Sequence, residues 1–469
     1  MVSGKIGHVL IIYLSYTVLS KNRLNLNCPT FAAFLDLQKA FDSVQRDFLF
    51  YKLGAAGIDG KMYFAIKALY SNPRACVQVN NEFTDWFDTP TGVRQGDTLS
   101  PTLFSLFIND LAIEINDLEC GIKFNDNMVS ILLYADDVVI ISDSEVKLQT
   151  MLDTVYHWCQ KWMLRMNDEK SNIVHFRKSK DIRSGHVFFI GGIKLEYKDF
   201  YKYLGVKLHE TLDFSIHKEM LAASGTRALG SIINKYKTNK FMTYEVYTKL
   251  FTTCVTPILD YGSEIWGIYK CSQIEKVQNN AARVFLGVNR FAPILGIQGE
   301  IGWRLCQNRV NLGILRYWNR LINMNDNRLC KKVFLWDRSL TRDNWSYYVQ
   351  DLFEKLNMDN FERLIPCDIK VSACKMDSDD MYEWLCNLST KPKLRSYRKI
   401  KFNKLVEKYV IINLTSKERS LLAQLRIGIL PINIEVGKYR NIPADQRFCL
   451  QCNNLVEDEI HFSIPLPCI

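Results

Sequence analysis

The sequence predicts an α+β fold in which helices cover one face of an antiparallel sheet. Short runs rich in Ile, Leu and Val predict buried strands within the first 210 residues, and they alternate with helical segments. One stretch, residues 131–142, holds two adjacent carboxylates between two apolar runs, which predicts a hairpin. From about His217 onward the apolar spacing becomes helical, so a mainly helical region is expected to follow the sheet.

Composition and charge indicate a folded chain with more than one domain. The 469 residues suffice for two to four cores, and 48% of them are hydrophobic. Lys and Arg exceed Asp and Glu by 60 to 50, which permits a polyanionic partner without requiring one. The 14 Cys residues form no compact framework, so we expect reduced thiols and an intracellular protein. No targeting signal or membrane span is recognised, which leaves nucleus and cytoplasm open.

The first predicted strand spans residues 29–37 and carries Asp36 near its end. A helical segment with Ala40 on its inner side and a helix over residues 61–70 follow this strand. Alternating apolar and polar residues over 75–89 predict a hairpin. Before the strand, an apolar run too short to span a bilayer has helical spacing and predicts an amphipathic helix with these inward positions: Ile6, Leu10, Tyr13, Leu14 and Thr17.

A glycine loop leads into the next helix. Gly92 and Gly96 permit unusual backbone angles or the close approach of a ligand. Ser100 and Pro101 predict the start of the helix. A glycine loop before a helix is a candidate phosphate site, although most such loops are only connections.

Residues 121–124 and 131–142 predict the central strands, and an amphipathic helix follows them. The apolar stripe of that helix predicts core packing: Leu148, Leu152, Val155, Cys159 and Trp162. Residues 164–176 lead into a further strand, and residues 201–208 predict a short strand that contains Gly205.

Three carboxylates are candidate metal ligands. Asp36 lies at the end of an apolar strand, and Asp136 and Asp137 lie at the tip of the predicted hairpin. Half-buried carboxylates repel one another and lose hydration, so they favour a hard cation such as Mg²⁺. With a glycine loop and a basic surface, the three suit phosphoryl transfer by two metal ions. A helix cap at Asp36 and a polar turn at the Asp pair are the alternatives.

Five stretches follow one another along the chain: FLDLQKAFDSV, GVRQGDTLSPTLFSLFINDL, LLYADDVVIIS, LRMNDEKSNIVHF and YKYLGVKL. In this order they resemble the palm motifs of the reverse transcriptases of LINE-type (non-LTR) retrotransposons. The resemblance implies an RNA-directed DNA polymerase that uses Mg²⁺, deoxynucleoside triphosphates, an RNA template and a DNA primer. It further implies these domains: a remnant of the fingers at 1–30, a palm at 31–212, a helical thumb at 213–300 and a helical C-terminal region at 301–447.

The resemblance also assigns roles to single residues. Asp36, Asp136 and Asp137 match the catalytic triad that holds two Mg²⁺ ions. The residues that match nucleotide-binding positions are Phe41 as steric gate, Gln95 and Gly96 in the loop, and Lys170 beside the departing pyrophosphate. The residues that match the primer grip are Tyr203, Leu204 and Gly205. A core aromatic, a solvated lysine and a plain hairpin are the respective alternatives for Phe41, Lys170 and the grip.

The C-terminal region offers two weaker signals. Residues 448–469 resemble a truncated zinc knuckle with four candidate Zn²⁺ ligands: Cys449, Cys452, His461 and Cys468. The gap before Cys468 is longer than is usual in the family, so zinc binding stays open. Basic residues over 391–404 are interleaved with Tyr397 and Phe402, which suits RNA contact or a solvated helix face.

The departures from the family pattern raise a competing hypothesis. Finger motifs and an endonuclease domain are expected before the first palm motif, and neither is recognised, so we expect an N-terminally truncated element. Such a chain could be a catalytically inactive remnant that only binds nucleic acid. A group II intron maturase or an RNA-templated RNA polymerase is a third possibility, and Phe41 argues against RNA synthesis.

Overall fold

The computed structural model describes residues 17–238, 242–340, 343–358, 366–458 and 461. The predicted N-terminal helix lies mostly outside these residues, as do four of its five inward positions: Ile6, Leu10, Tyr13 and Leu14. Its described end, residues 17–25, is helical, and Thr17 is buried there. Among the described residues, no helix is both long and apolar enough to cross a bilayer.

The chain divides into two compact units. The first comprises Met1–Phe214 and Met324–Tyr347, and the second comprises Ser215–Asn323 and Tyr348–Ile469. The first division falls two residues after the predicted end of the palm. The segment Met324–Tyr347 lies in the first unit, although we predicted it within a helical C-terminal region.

The strands are short except in the centre of the first unit. They are β1 (Thr30–Asp36), β2 (Arg74–Ala75), β3 (Gln78–Val79), β4 (Glu82–Phe83), β5 (Phe87–Asp88), β6 (Ile122–Phe124), β7 (Asn127–Val129), β8 (Ile131–Tyr134), β9 (Asp137–Ser142), β10 (Asn172–Phe176), β11 (Phe189–Ile190), β12 (Ile193–Lys194), β13 (Glu196–Tyr197), β14 (Phe200–Tyr203) and β15 (Val206–His209).

Helices cover one side of the sheet in the first unit and make up most of the second unit. They are α1 (Ala40–Ser43), α2 (Arg46–Ala55), α3 (Gly60–Leu69), α4 (Ser100–Asp117), α5 (Glu145–Lys161), α6 (Ser215–Thr238), α7 (Tyr244–Leu250), α8 (Thr256–Leu259), α9 (Ser263–Trp266), α10 (Ser272–Leu286), α11 (Ile294–Ile301), α12 (Cys306–Ile322), α13 (Leu329–Ser339), α14 (Trp345–Lys355), α15 (Pro366–Ser389), α16 (Tyr397–Ile400), α17 (Lys408–Ile411), α18 (Ser416–Arg426) and α19 (Asn433–Val436).

The central sheet has the strand order β13–β10–β1–β9–β8. All neighbours are antiparallel except β10 and β13. Strand β1 is buried along almost its whole length, because alternate side chains face opposite sides of the sheet and both sides are covered. Phe31, Ala33 and Leu35 belong to the hydrophobic core that includes α4 and α5. Phe34 lies on the other side, where it stacks on Tyr201 with ring centroids 4.3 Å apart.

Helices α4 and α5 cover one side of the sheet, so the predicted α+β fold is confirmed. The five predicted core positions of α5 are all buried: Leu148, Leu152, Val155, Cys159 and Trp162. Helix α2 is attached to them through the buried amine of Lys52, which donates to Asp110 at 2.8 Å and lies 3.7 Å from the ring centroid of Trp162. Burial lowers the pKa of Lys52 to about 8.

Two strand predictions need correction, and a third is confirmed. Residues 121–124 are not a central strand, since β6 pairs only with β7 in a separate hairpin. Residues 201–208 are not one strand, because Leu204 and Gly205 have positive φ and reverse the chain between β14 and β15. The predicted hairpin over 75–89 is present, with β2 paired to β5 and β3 paired to β4.

The second unit is mainly helical, and buried or half-buried ion pairs link its segments. Glu300 in α11 is fully buried and accepts from the guanidinium of Arg426 in α18 at 2.9 and 3.2 Å. In the same unit, Arg309 in α12 donates to both carboxylate oxygens of Asp260, at 2.6 and 3.0 Å. A buried charge without a partner is costly, so these pairs restrict how the helices can pack.

Candidate active site

The three predicted carboxylates come together at one end of the central sheet. Asp36 is the last residue of β1, and it lies directly opposite Asp137, the first residue of β9. Asp136 lies in the two-residue turn that joins β8 to β9. Because opposed residues share a face of the sheet, Asp36 and Asp137 lie on the side of Phe34, away from α4 and α5.

The turn that carries Asp136 is strained. Ala135 has a φ of +54°, in the left-handed region that non-glycine residues seldom adopt. Such a conformation costs roughly 1–3 kcal/mol and persists only where the surrounding structure enforces it. Here the paired strands β8 and β9 enforce it, and the turn keeps Asp136 beside Asp137.

The electrostatics of the cluster favour a cation. Burial first, then the charges of Asp136 and Asp36, raise the pKa of Asp137 to about 6. A divalent cation would remove both costs, since it replaces lost hydration and neutralises the repulsion. Carboxylate oxygens are also the ligands that Mg²⁺ prefers, so the residues fit a magnesium site.

Asp36 is fixed by the segment that precedes β10. The side-chain amide of Asn167 donates to Oδ2 of Asp36 at 2.9 Å, and the backbone N–H of Asn167 donates to the Asp36 carbonyl at 2.8 Å. The amine of Lys170 lies 3.9 Å from the same Oδ2, and its side chain is 69% exposed. At that exposure the ion pair contributes little stability, and the lysine remains accessible to a ligand.

The glycine loop lies against the segment that follows Asp36. The N–H of Val93 donates to the carbonyl of Phe41 at 2.8 Å. Gly92 has a φ of +87°, and a Cβ there would lie 2.9 Å from the Cα of Asp42, so only glycine fits this approach. The Phe41 ring is partly buried and stacks on Phe104 in α4, with centroids 4.8 Å apart.

Gln95 and Gly96 lie at the exposed part of this loop. The amide of Gln95 donates to Oδ1 of Asp42 at 2.8 Å. Gly96 has a φ of +88°, and a Cβ there would meet no atom within 4 Å. The loop therefore presents an open backbone at Gly96, close to the segment that holds Phe41.

Arg46 holds the start of the loop and was missed by the sequence analysis. Its guanidinium donates to three backbone carbonyls: Thr89 at 2.5 Å, Thr91 at 2.9 Å and Gly92 at 3.0 Å. A single arginine at the start of a helix carries no recognisable signal in the sequence, because its partners are backbone atoms 43 to 46 positions away.

The predicted primer grip forms the turn of the β14–β15 hairpin. Tyr203 is buried, and its ring centroid lies 5.6 Å from that of Phe34. Tyr201, beside it, was not predicted as a site residue. Burial and the charges of Asp137 and Asp36 raise the pKa of Tyr201 to about 12. The inner face of the hairpin thus lies close to the carboxylate cluster.

The outer face of this hairpin is basic. Lys202 and Lys207 are directly opposite each other in the register, and like charges in such positions repel. The amine of Lys207 lies 4.5 Å from the ring centroid of Phe200, which is 40% exposed. A polyanion bound to this face would relieve the repulsion.

The C-terminal cysteines and histidine also converge. Sγ of Cys449, Sγ of Cys452 and a ring nitrogen of His461 lie within 4.8 Å of one another. Hydrogen bonds from the backbone N–H groups of Asn454 and Leu455 lower the pKa of the Cys452 thiol. These donors suit Zn²⁺. The fourth candidate, Cys468, lies outside the described residues.

The basic segment 391–404 is less suited to RNA contact than its sequence suggests. Tyr397 is 1% exposed, so it cannot stack on a base. Lys401 pairs with Glu407, and Lys404 pairs with Asp380. Phe402 is 69% exposed and remains accessible.

Parts of this chain are similar to known proteins. Residues 13–208 match the family described as reverse transcriptase (RNA-dependent DNA polymerase). A probable RNA-directed DNA polymerase from transposon BS of Drosophila melanogaster is 28% identical over 308 residues, covering 62% of this chain and 32% of the relative. The RNA-directed DNA polymerase from mobile element jockey of the same species is 25% identical over 310 residues, covering 64% of this chain and 33% of the relative.

Among solved structures, apo telomerase from Candida tropicalis is similar with a TM-score of 0.34 and 12% identity, covering 69% of this chain and 56% of that chain. The chain spans about a third of the length of the two curated relatives.

The antiparallel sheet, the helices on one side of it and the carboxylates at its end are the features expected of a palm domain in the nucleic-acid polymerase class. Residues 13–208 are similar to the reverse transcriptase family within that class. The relatives named above are RNA-directed DNA polymerases of mobile elements, and the similarity to them confirms the resemblance predicted from the motifs.

Proposed function

We propose that this chain is the catalytic part of an RNA-directed DNA polymerase, which transfers a nucleotide from a deoxynucleoside triphosphate to a primer 3′-hydroxyl. The observation that carries the proposal is the direct pairing of Asp36 with Asp137, beside Asp136 in the adjoining turn. Three carboxylates this close are costly without a cation, and few functions other than metal-dependent phosphoryl transfer need them.

Asp36, Asp136 and Asp137 would hold two Mg²⁺ ions. When bound, the ions supply Lewis-acid chemistry that neutralises phosphate charge and increases the acidity of the primer hydroxyl. The protein contributes mainly position and charge, as is general for phosphoryl transfer. Lys170 is exposed and near Asp36, so its ammonium could stabilise the negative charge that develops on pyrophosphate.

Substrate selection would take place beside the glycine loop. Phe41 would restrict the space at the 2′ position of the sugar and so select deoxynucleotides. Its packing on Phe104 fixes the ring, which a steric filter requires. Gln95 and Gly96 would contact the incoming nucleotide and the template, since both are exposed on this loop.

The primer would contact the β14–β15 hairpin. Its turn, Leu204 and Gly205, would approach the primer end, while Lys202 and Lys207 would bind phosphates. The RNA template would lie along the same region. These partners imply a nuclear or cytoplasmic protein.

We also propose Zn²⁺ binding by Cys449, Cys452 and His461, with Cys468 as a candidate fourth ligand. Such a site would stabilise the C-terminal hairpin, in which Phe448 bridges to Val456. Metal analysis of the purified chain tests this directly, since one zinc per chain is expected.

Primer extension on an annealed RNA template, with Mg²⁺ and deoxynucleotides, tests the function. We expect extension by the wild type and at least a ~10³-fold loss in the Asp36→Asn, Asp136→Asn, Asp137→Asn variant, on the order of the effect of losing a charge-stabilising group of this kind. The variant should still bind RNA. A folded, RNA-binding wild type that never extends a primer would instead favour the inactive remnant.

A further inference from the structure

One side-chain contact to the carboxylate cluster comes from a residue to which we have assigned no role. Nδ2 of Asn167 donates to Oδ2 of Asp36 at 2.9 Å. This bond joins an uncharged amide to a carboxylate, and hydrogen bonds to a charged group are stronger than those between neutral groups. It engages one oxygen of Asp36 and leaves the other for a metal ion.

Backbone hydrogen bonds join the end of β1 to the segment that precedes β10. The N–H of Asp36 donates to Oγ of Ser171 at 3.2 Å, and the Asp36 carbonyl accepts from the N–H of Asn167 at 2.8 Å. Leu37 forms a bridge with Met166. The pairing of β1 thus extends to the residues that precede β10 and brings the Asn167 side chain beside the carboxylate.

The turn from Asn167 to Ser171 is itself fixed from two directions. The N–H of Ser171 donates to the Asn167 carbonyl at 3.0 Å, which closes the turn. The Tyr201 hydroxyl donates to the Lys170 carbonyl at 3.3 Å, and the Tyr201 ring stacks on Phe34. The turn is thus linked to β1 twice, directly at Asp36 and through Tyr201 at Phe34. These links restrict the movement of Asn167 away from Asp36.

We propose that Asn167 is a positioning residue that orients the Asp36 carboxylate for metal binding. This inference rests on the proposed function. A neutral donor is suited to the task, because it fixes one oxygen without adding a positive charge that would compete with Mg²⁺. Lys170, at 3.9 Å and largely exposed, cannot fix the carboxylate in this way.

The expected consequence is weaker metal binding rather than weaker nucleic-acid binding. Loss of a hydrogen bond to a metal ligand typically lowers metal affinity or activity by about 10- to 100-fold. We therefore expect Asn167→Ala to raise the Mg²⁺ concentration for half-maximal primer extension by that factor. The KM for the primer–template should change by less than about threefold, and Asn167→Gln, which keeps an amide donor, should recover part of the loss.

The matched control is Asn172→Ala. Asn172 is the same residue type five positions away, and its Nδ2 donates to the Lys170 carbonyl at 3.0 Å instead of to a carboxylate. It is also more buried, at 7% exposure, so its loss disturbs the local fold at least as much. If Asn167 acts only on the turn, both alanine variants will weaken metal binding alike.

Binding of Mn²⁺ to the full chain, measured by electron paramagnetic resonance without nucleic acid, separates the positioning role from the polymerase proposal. Wild-type binding together with a loss of about 10- to 100-fold in Asn167→Ala, and little change in Asn172→Ala, supports the inference. Equal affinity in wild type and Asn167→Ala overturns the positioning role and leaves the polymerase proposal intact. A wild type that neither binds Mn²⁺ nor extends a primer refutes the proposed function itself.

Discussion

At the scale of single residues, the carboxylate cluster is a source of instability that only a bound cation would offset. Asp36 and Asp137 are opposed in the register, and Asp136 lies in a turn that requires a positive φ at Ala135. Under the proposed function, the charge that the site needs lowers the stability of the metal-free fold at this point. The conflict can be measured through the titration of Asp137.

Replacement of Asp137 by Asn should stabilise the metal-free protein at neutral pH. The pKa of Asp137 is about 6 in the folded chain against an ordinary value of 3.8, so folding favours the protonated form between these values. The stability that the raised pKa of Asp137 contributes is fully present below about pH 4, and it is lost as the pH rises through 6. After allowance for partial exposure, about 1 kcal/mol is expected, or a rise in Tm of about 2–4 °C at pH 8 without Mg²⁺.

Differential scanning fluorimetry across pH 4–8 checks this expectation. The advantage of Asp137→Asn should shrink below pH 6 and disappear or reverse at saturating Mg²⁺. Asp126→Asn is the control, because Asp126 is an exposed carboxylate in the β6–β7 turn. A wild type as stable as the variant at pH 8 would show that Asp137 is not strained by its neighbours.

At the scale of elements, the position of the glycine loop depends on one close backbone contact. The N–H of Gly92 donates to the Val44 carbonyl at 2.8 Å, and the loop then runs past Asp42. Gly92 and Gly96 have almost the same φ, yet only Gly92 is packed against another segment. A comparison of substitutions at Gly92 and Gly96 therefore distinguishes the cost of a positive φ from the cost of a steric contact.

We expect Gly92→Ala to lower the free energy of unfolding more than Gly96→Ala. Both replacements carry the strain of a positive φ, roughly 1 kcal/mol or more. Gly92→Ala adds a contact of 2.9 Å with the Cα of Asp42, which must push the loop away from Phe41. Urea denaturation should show the difference, with an excess loss of about 1–3 kcal/mol for Gly92→Ala. Equal losses would mean that the loop does not pack closely on the segment after Asp36.

At the scale of the whole molecule, the first unit is built from two separate segments of the chain. Residues 215–323, which lie between these segments, belong to the second unit. Helix α13 follows β15 by more than a hundred residues and yet belongs with the sheet. Asp337 in α13 is buried and accepts from the side chain of Asn22 at 2.8 Å and from the N–H of Ser346 at 2.7 Å. Trp336 in α13 contacts Phe124 in β6, with ring centroids 5.6 Å apart.

Replacement of Trp336 by Ala should destabilise the β6–β7 hairpin, although the two are far apart in sequence. Removal of a buried tryptophan typically costs about 3–5 kcal/mol. Hydrogen exchange at the amides of β6 and β7 should therefore accelerate strongly. The control is Trp86→Ala, because Trp86 is 59% exposed and its loss should cost less than about 0.5 kcal/mol. Unchanged exchange in Trp336→Ala would show that α13 does not stabilise the first unit.

The sequence by itself determined the local features of this protein. The apolar runs predicted β1, β8, β9 and the core stripe of α5, because burial of alternate or helically spaced side chains leaves a periodic signal. The motifs predicted the resemblance to reverse transcriptases and the candidate metal ligands Asp36, Asp136 and Asp137. They also predicted Gln95 and Gly96 as candidate nucleotide-binding residues of the glycine loop.

Only the tertiary structure decided which distant residues meet. Four features depend on contacts across long sequence separations. They are the pairing of Asp36 with Asp137, the hydrogen bond from Asn167 to Asp36, the hydrogen bonds from Arg46 to the glycine loop and the packing of α13 in the first unit. The same holds for residues 121–124, whose apolar pattern suits a central strand but whose partner is β7. Periodicity records which side of an element is buried, and the partner that buries it is set by the packing of the whole unit.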